Sequence, residues 1–192
     1  IANLQFSANG QRIEWVRNTL HPWAYQIDVP QGVQTVDVSF QWLTPIDGAQ
    51  GRVVITPEML NHQWEKAVLY PAGYASSHIG FLPRLKLPQG WQYAGALKTE
   101  GTIDGYLELE PINLEHLQDS PVFAGQHFAQ HELSPNGPSS VRLSIVGDTA
   151  DVVQVKDEHL ALHRNLVTEA DLLFGARHFD RYDFLVAVSD KL

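Results

Sequence analysis

The stretch His163–Leu192, HRNLVTEADLLFGARHFDRYDFLVAVSDKL, decides how this chain is read. It closes a helical pattern, adds a glycine stop and runs into an apolar strand, YDFLVAVS (Tyr182–Ser189). From Asp157 the apolar positions Leu160, Val167, Ala170 and Phe174 share one stripe, flanked by Leu166 and Leu173, while Glu158, Asn165, Thr168 and Glu169 face away. Asp157 suits an N-terminal cap or first-turn acid, and Gly175 sits where a left-handed C-terminal cap belongs. The spacing predicts a helix over about 157–174 and a strand over about 182–189. One helix and one edge strand cannot enclose a core, so this segment reads as the opening of a domain whose remainder is missing. Ile1 is not an initiator methionine, and no charged segment followed by an apolar one marks a targeting signal. Both features fit a piece of a longer protein.

Upstream, the chain has the pattern of strands. Leu4–Asn18 holds two short alternating runs about Ala8-Asn9-Gly10-Gln11, a hairpin turn in which Asn and Gly tolerate positive φ. Trp23–Pro30 and Thr35–Pro45 follow, and in the second the alternation Val36, Val38, Phe40, Trp42 puts one face against a core. Further strands are expected at Arg52–Thr56, Lys66–Pro71, Phe81–Pro88, Gly105–Pro111, Phe123–Leu133 and Val141–Gly147, with turn signals between them. Many short strands at near-regular spacing argue for a mainly β fold built as two sheets. The change of character near Asp148 places the expected boundary there, with a β domain over 1–148 and a second domain opening at 149–192.

Composition narrows the function classes. The 192 residues, 44% of them hydrophobic, suffice for one full core and the start of another. No apolar run approaches the length of a membrane span. The net charge of −9, from 22 acids against 13 scattered bases, leaves no basic patch for a phosphate backbone, so nucleic acid is not an expected partner. Cysteine is absent, which removes disulfides, thiolate metal sites and a cysteine nucleophile.

The reactive patterns are sparse. His127/His131 and His159/His163 show a four-residue spacing, yet the first pair lies in an expected strand and the second includes a histidine on the apolar stripe, where a satisfied buried imidazole is the ordinary role. No H-E-x-x-H, no G-x-S-x-G and no glycine-rich phosphate loop occurs. No catalytic residue and no metal ligand is therefore assigned. The aromatic residues would fill a β core or line a glycan or peptide groove.

DSPVFAGQHF (Asp119–Phe128), HRNLVTEADLLFG (His163–Gly175) and HFDRYDFLVAVSDKL (His178–Leu192) together resemble consecutive segments of the glycyl aminopeptidase family, the thermolysin-like zinc metallopeptidases of peptidase family sixty-one that often carry a C-terminal PDZ domain. GRVVITPEMLNHQW (Gly51–Trp64) and VLYPAGY (Val68–Tyr74) are similar to that family's N-terminal β domain. The resemblance implies a β N-terminal domain followed by the first helix and strand of a truncated thermolysin-like α/β catalytic domain. It implies that zinc, catalysis and the peptide substrate belong to the full-length aminopeptidase, with no cofactor in this chain itself, and that the β domain walls the cleft and partners the rest of its own catalytic domain.

Related enzymes contact the free amino end of the peptide through a β-domain loop. The resemblance makes PEMLNHQW (Pro57–Trp64) the candidate for such a cleft-facing loop, with Glu58, Asn61 and Gln63 as candidate acceptors for an ammonium group; a plain structural turn between two core strands is the competing role. The other reading of the whole chain is an independent β-sandwich module that binds protein or glycan. Two further expectations are a periplasmic rather than cytoplasmic setting and a homodimer of the piece through its uncovered helix and strand edge.

Overall fold

Asn9 and Gly10 both take positive φ, 50° and 75°, which is what a two-residue hairpin turn demands. They join β1 (Ala2–Ala8) to β2 (Gln11–Ile13) as the sequence predicts. In the computed structural model, which describes residues 1–50 and 54–191, the chain is mainly β and divides into two compact units, Ile1–Leu43 and Thr44–Leu192.

In the first unit β3 (Trp15–Arg17) and β4 (Tyr25–Ile27) form a hairpin of their own, while β5 (Asp37–Gln41) pairs with β1 to give the order β2-β1-β5. Leu4, Phe6, Ala8 and Ile13 are buried, and the Trp15 indole Nε1–H donates to the Leu4 carbonyl at 3.1 Å. Of the alternating set in β5, Phe40 is half-buried but Val38 is 41% exposed, because β5 is the edge of a three-stranded sheet with little to cover it.

The second unit continues with β6 (Met59–His62), β7 (Gly80–Phe81), β8 (Arg84–Leu85), β9 (Gln92–Gly95), β10 (Thr99–Ile103), β11 (Tyr106–Leu109), β12 (Ile112–Asn113), α1 (Leu114–Gln118), β13 (Val122–Gly125), β14 (His127–Glu132), β15 (Ser140–Gly147), α2 (Asp157–Phe174) and β16 (Arg181–Val188). Among the described residues, hydrogen bonding resolves the strands of this unit into four small sheets, ordered β10-β11-β8, β12-β7, β6-β13-β9 and β14-β15-β16. The short helix α1 escaped the sequence reading. Its cap is Asn113, whose side chain accepts from the His116 N–H at 2.9 Å, and Leu114 and Leu117 are buried beneath it.

Some strand expectations are corrected. Lys66–Pro71 is not a strand: a tight turn over Trp64–Lys66, with the Ala67 N–H on the Trp64 carbonyl, ends the extended chain. Phe81–Pro88 is cut into β7 and β8 about Pro83, which has no N–H for a ladder. Phe123–Leu133 is two strands in two sheets, because the Gln126 N–H is taken by the Glu58 carbonyl at 2.9 Å. Of Arg52–Thr56, Arg52 and Val53 lie outside the described residues; Ile55 makes a single bridge to Leu60.

The boundary expected at 148/149 falls inside the second unit. β15 and β16 pair in parallel over eight residues, Ser140↔Arg181 through Gly147↔Val188, and α2 makes the crossover between them. Leu160 and Val167 pack with Leu133, Val141, Leu143, Ile145 and Val153 in one core, so the helix and last strand find their cover within this chain. The helix bounds agree with the sequence, and Gly175 is the left-handed cap, with φ 69° and its N–H on the Asp171 carbonyl at 2.9 Å. Phe174 departs from its expected place on the buried stripe: it is 72% exposed. The covered face closes one turn earlier, where Arg177, with only 6% of its side chain exposed, binds Asp171 at 2.7 Å and the Ser139 carbonyl at 2.6 Å.

The opposite face of the same sheet carries a charged cluster at one end. Register aligns Glu132, Arg142 and Asp183 across β14, β15 and β16. The Asp183 side chain is 4% exposed, and its two oxygens meet Arg142 at 2.6 Å and Arg181 at 2.8 Å. The Arg181 contact is ionic without hydrogen-bond alignment; its Nη2 instead donates to the Gly95 and Ala96 carbonyls at 2.6 Å each. Asp183 thereby ties β16 to the turn after β9.

Two stability measurements check this packing. Leu160→Ala should cost about 2–5 kcal/mol in urea unfolding, whereas Leu173→Ala, at a side chain 77% exposed, should cost under about 0.5 kcal/mol. Asp183→Ala leaves two guanidinium groups facing one another and should cost about 3 kcal/mol. A cost for Asp183→Ala no larger than for Leu173→Ala would remove the cluster from the account.

Candidate functional site

In a β-α-β unit, ligands are taken up outside the carboxyl ends of the parallel strands, where the chain leaves the sheet and exposes polar groups. Here those ends are Gly147 and Val188. β14 begins beside them, with His127 opposite Gly147, and β13 ends at Gly125, opposite Met59 at the start of β6. Strands of two sheets therefore deliver Glu58, Gln126, Asp148 and the segment Ser189–Lys191 to a single edge.

Hydrogen bonds fix that edge. The Asp148 carboxylate Oδ2 accepts from the Ser189 hydroxyl at 2.8 Å and from the Asp190 N–H at 3.1 Å, and Ser189 Oγ in turn accepts the Lys191 N–H at 2.9 Å. Among the described residues Asp148 Oδ1 is buried without a partner. Lys191 Nζ reaches Glu58 Oε2 at 3.2 Å, with side-chain exposures of 53% and 29%. Two glycines are closely approached here. A Cβ on Gly125 would lie 3.1 Å from the Glu58 carbonyl oxygen, and one on Gly147 would meet a Val152 methyl.

The three residues singled out from the sequence are not brought together. Glu58 lies just before β6 at the edge just described. Asn61 is three positions on and so belongs to the opposite face; it is 4% exposed and its Oδ1 has no partner among the described residues. Gln63, beyond the far end of β6, is about 16 Å from Glu58 at extended spacing. It lines a separate open depression of about 640 Å³ with Glu65, Gln118, Asp119 and Pro121. The candidate loop is a paired strand, so its side chains alternate instead of converging. The sequence reading did not single out Asp148, Ser189 or Lys191, although Asp148 and Ser189 directly follow the apolar strands that flank one helix, which is the available signal.

A second feature is a cavity of about 480 Å³ lined by Trp91, Tyr93 and Phe128 with the amides of Gln92 and Gln130. Among the described residues no three side chains of His, Asp or Glu gather as a metal-ligand set.

The family described as Peptidase M61 N-terminal domain matches residues 1–126. The matched span stops one residue before β14 begins. No curated protein matches the chain. Among solved structures it is similar to an M1 zinc metallopeptidase from Deinococcus radiodurans, at 16% identity and TM-score 0.46, covering 96% of this chain and 47% of that one. It is also similar to a substituted two-domain M1 zinc metallopeptidase bound to L-arginine, at 15% identity and TM-score 0.48, again covering 96% and 47%. The chain thus spans a little under half the length of each.

His62, between Asn61 and Gln63, sets a pH dependence at β6. Burial against Trp64, whose ring is 4.9 Å away, pushes its imidazole below 6.5, and Glu65 offsets this only in part. The unfolded chain takes up a proton near pH 6.5 that the folded chain resists, so stability is present above that pH and falls as pH drops from 6.5 through the lower folded value. Urea midpoints measured between about pH 8 and pH 5 should decline in the wild type and decline less in His62→Gln. Equal slopes would contradict the assignment.

Proposed function

The chain belongs to the Peptidase M61 N-terminal domain family, and on that footing we propose that it forms the β wall of the substrate cleft in a zinc-dependent, aminopeptidase-like enzyme. In this reading the chain holds the peptide while the zinc and the catalytic groups come from the remainder of the parent protein. The observation that carries it is Glu58: a carboxylate at the carboxyl edge of the β15–β16 pair that already accepts an ammonium group, that of Lys191. A peptide's free α-amino end is an ammonium of the same charge and donor count.

The partner that completes the cleft is, in this reading, the rest of the catalytic domain. Support comes from the outer side of α2, where Leu162, Leu166 and Leu173 remain exposed although the inner side is packed. A helix apolar on two sides is one that packs in two directions. The alternative, a binding module for protein or glycan, draws on the cavity at Trp91, Tyr93 and Phe128, since aromatic rings beside amide groups suit a sugar or an extended peptide. Family membership favours the peptidase reading.

The test belongs in the full-length protein, on glycyl and alanyl peptides. Glu58→Gln removes a charge-assisted hydrogen bond to bound substrate and should raise KM about tenfold with kcat nearly unchanged. Gln63→Ala should change neither constant, and Asn61→Ala, at a buried strand position, should register in stability instead. Unchanged KM in Glu58→Gln would leave the residue a structural neighbour of Lys191 and nothing more.

A further inference from the structure

We propose that Lys191 is a built-in occupant of the amino-end site: its ammonium holds Glu58 in the empty protein and must be displaced by the α-ammonium of an incoming peptide. The inference rests on the reading of Glu58 as the acceptor for that amino end.

The geometry carries it in three steps. The contact between Lys191 Nζ and Glu58 Oε2 spans 3.2 Å and joins residues 133 positions apart, so it is made by the fold and not by local chain stiffness. The lysine is delivered there by design of the turn. Asp148 holds the Ser189 hydroxyl and the Asp190 N–H, and Ser189 holds the Lys191 N–H, so the backbone of Lys191 is fastened to the end of β15 while its side chain reaches across to Glu58. The pair is also open to water on both sides, with 53% and 29% of the two side chains exposed. An exposed ion pair of this kind is weak and exchangeable, which is what a displaceable occupant requires.

Asp148 is then a positioning residue, acting on Glu58 only through Ser189 and Lys191. The effect on a ligand follows from competition. An occupant that must leave before an equivalent ammonium can bind weakens apparent affinity by its own equilibrium for the site, roughly two- to fivefold for a surface pair. A peptide without a free amino group gains nothing from the vacated carboxylate. The device thus lowers the resting affinity for free amino ends while keeping Glu58 from being an unpaired charge at the edge of a packed sheet.

The experiment is a chemical-shift titration of the isotopically labelled 192-residue chain with glycyl-alanine amide and with its N-acetyl form. Lys191→Gln should bind the free-amine peptide about two- to fivefold more tightly than the wild type. Asp148→Ala should reproduce that gain, and Asp148→Asn, which keeps an acceptor oxygen for Ser189, should return to wild-type affinity. Glu58→Gln should lose the preference for the free amine in every background. If Glu58→Gln weakens binding but Lys191→Gln does not tighten it, Lys191 is a bystander and the inference fails while the reading of Glu58 stands. If no variant distinguishes the free amine from the acetylated peptide, both fail together.

Discussion

Parallel pairing of Ser140–Gly147 with Arg181–Val188 is the constraint on which the 127–191 layer depends. Two parallel neighbours cannot be joined by a hairpin; the chain must return over one face of the sheet, and α2 makes that return. The requirement explains why Leu160 and Val167 face Leu143 and Ile145, and why the residues following both strands meet at one edge. It also gives Gly147 its role, since Val152 and Val153 close over the start of the crossover where a side chain would stand.

The two faces of this sheet are held by different physics. Toward α2 the contacts are aliphatic and non-directional, and the helix is sealed at its end by Arg177 between Asp171 and the Ser139 carbonyl. On the other face Asp183 sits between Arg142 and Arg181, and Arg181 extends to the carbonyls of Gly95 and Ala96. Buried ion pairs add little net stability compared with apolar packing, but they penalise any shift that separates them. The Asp183 cluster therefore acts chiefly on register: it fixes how β16 meets β9, and through β16 where Ser189–Lys191 emerges.

Periodicity made some elements readable and topology hid others. The 157–174 helix, its Gly175 cap, the Asn9-Gly10 hairpin and the strands β15 and β16 all follow from local pattern, because capping, positive φ and apolar spacing are properties of neighbouring residues. The break between β13 and β14 does not: it depends on a hydrogen bond from Gln126 to Glu58, 68 positions earlier. Helix α1 is only five residues long, too short to show a 3.6-residue period, and its one clear signal was Asn113. At the site, Glu58 was legible as an acceptor, but treating Pro57–Trp64 as a loop grouped it with Asn61 and Gln63, which β-alternation separates. Lys191 and Asp148 could not be paired with Glu58 without knowing that β15 and β16 are parallel. Phe174 shows the same limit on the helix, since the wheel places it on the inner stripe while Arg177 already closes the sheet beneath.

The account's central claim is that the carboxyl edge of the β15–β16 pair, and not the aromatic cavity at Trp91, receives the free amino end of a peptide. A crystal structure of this chain grown with a glycyl dipeptide tests it most directly. The account predicts the dipeptide ammonium within hydrogen-bond distance of the Glu58 carboxylate and Lys191 withdrawn from it. A dipeptide bound with its amino end elsewhere, with the Lys191–Glu58 pair intact, would contradict it.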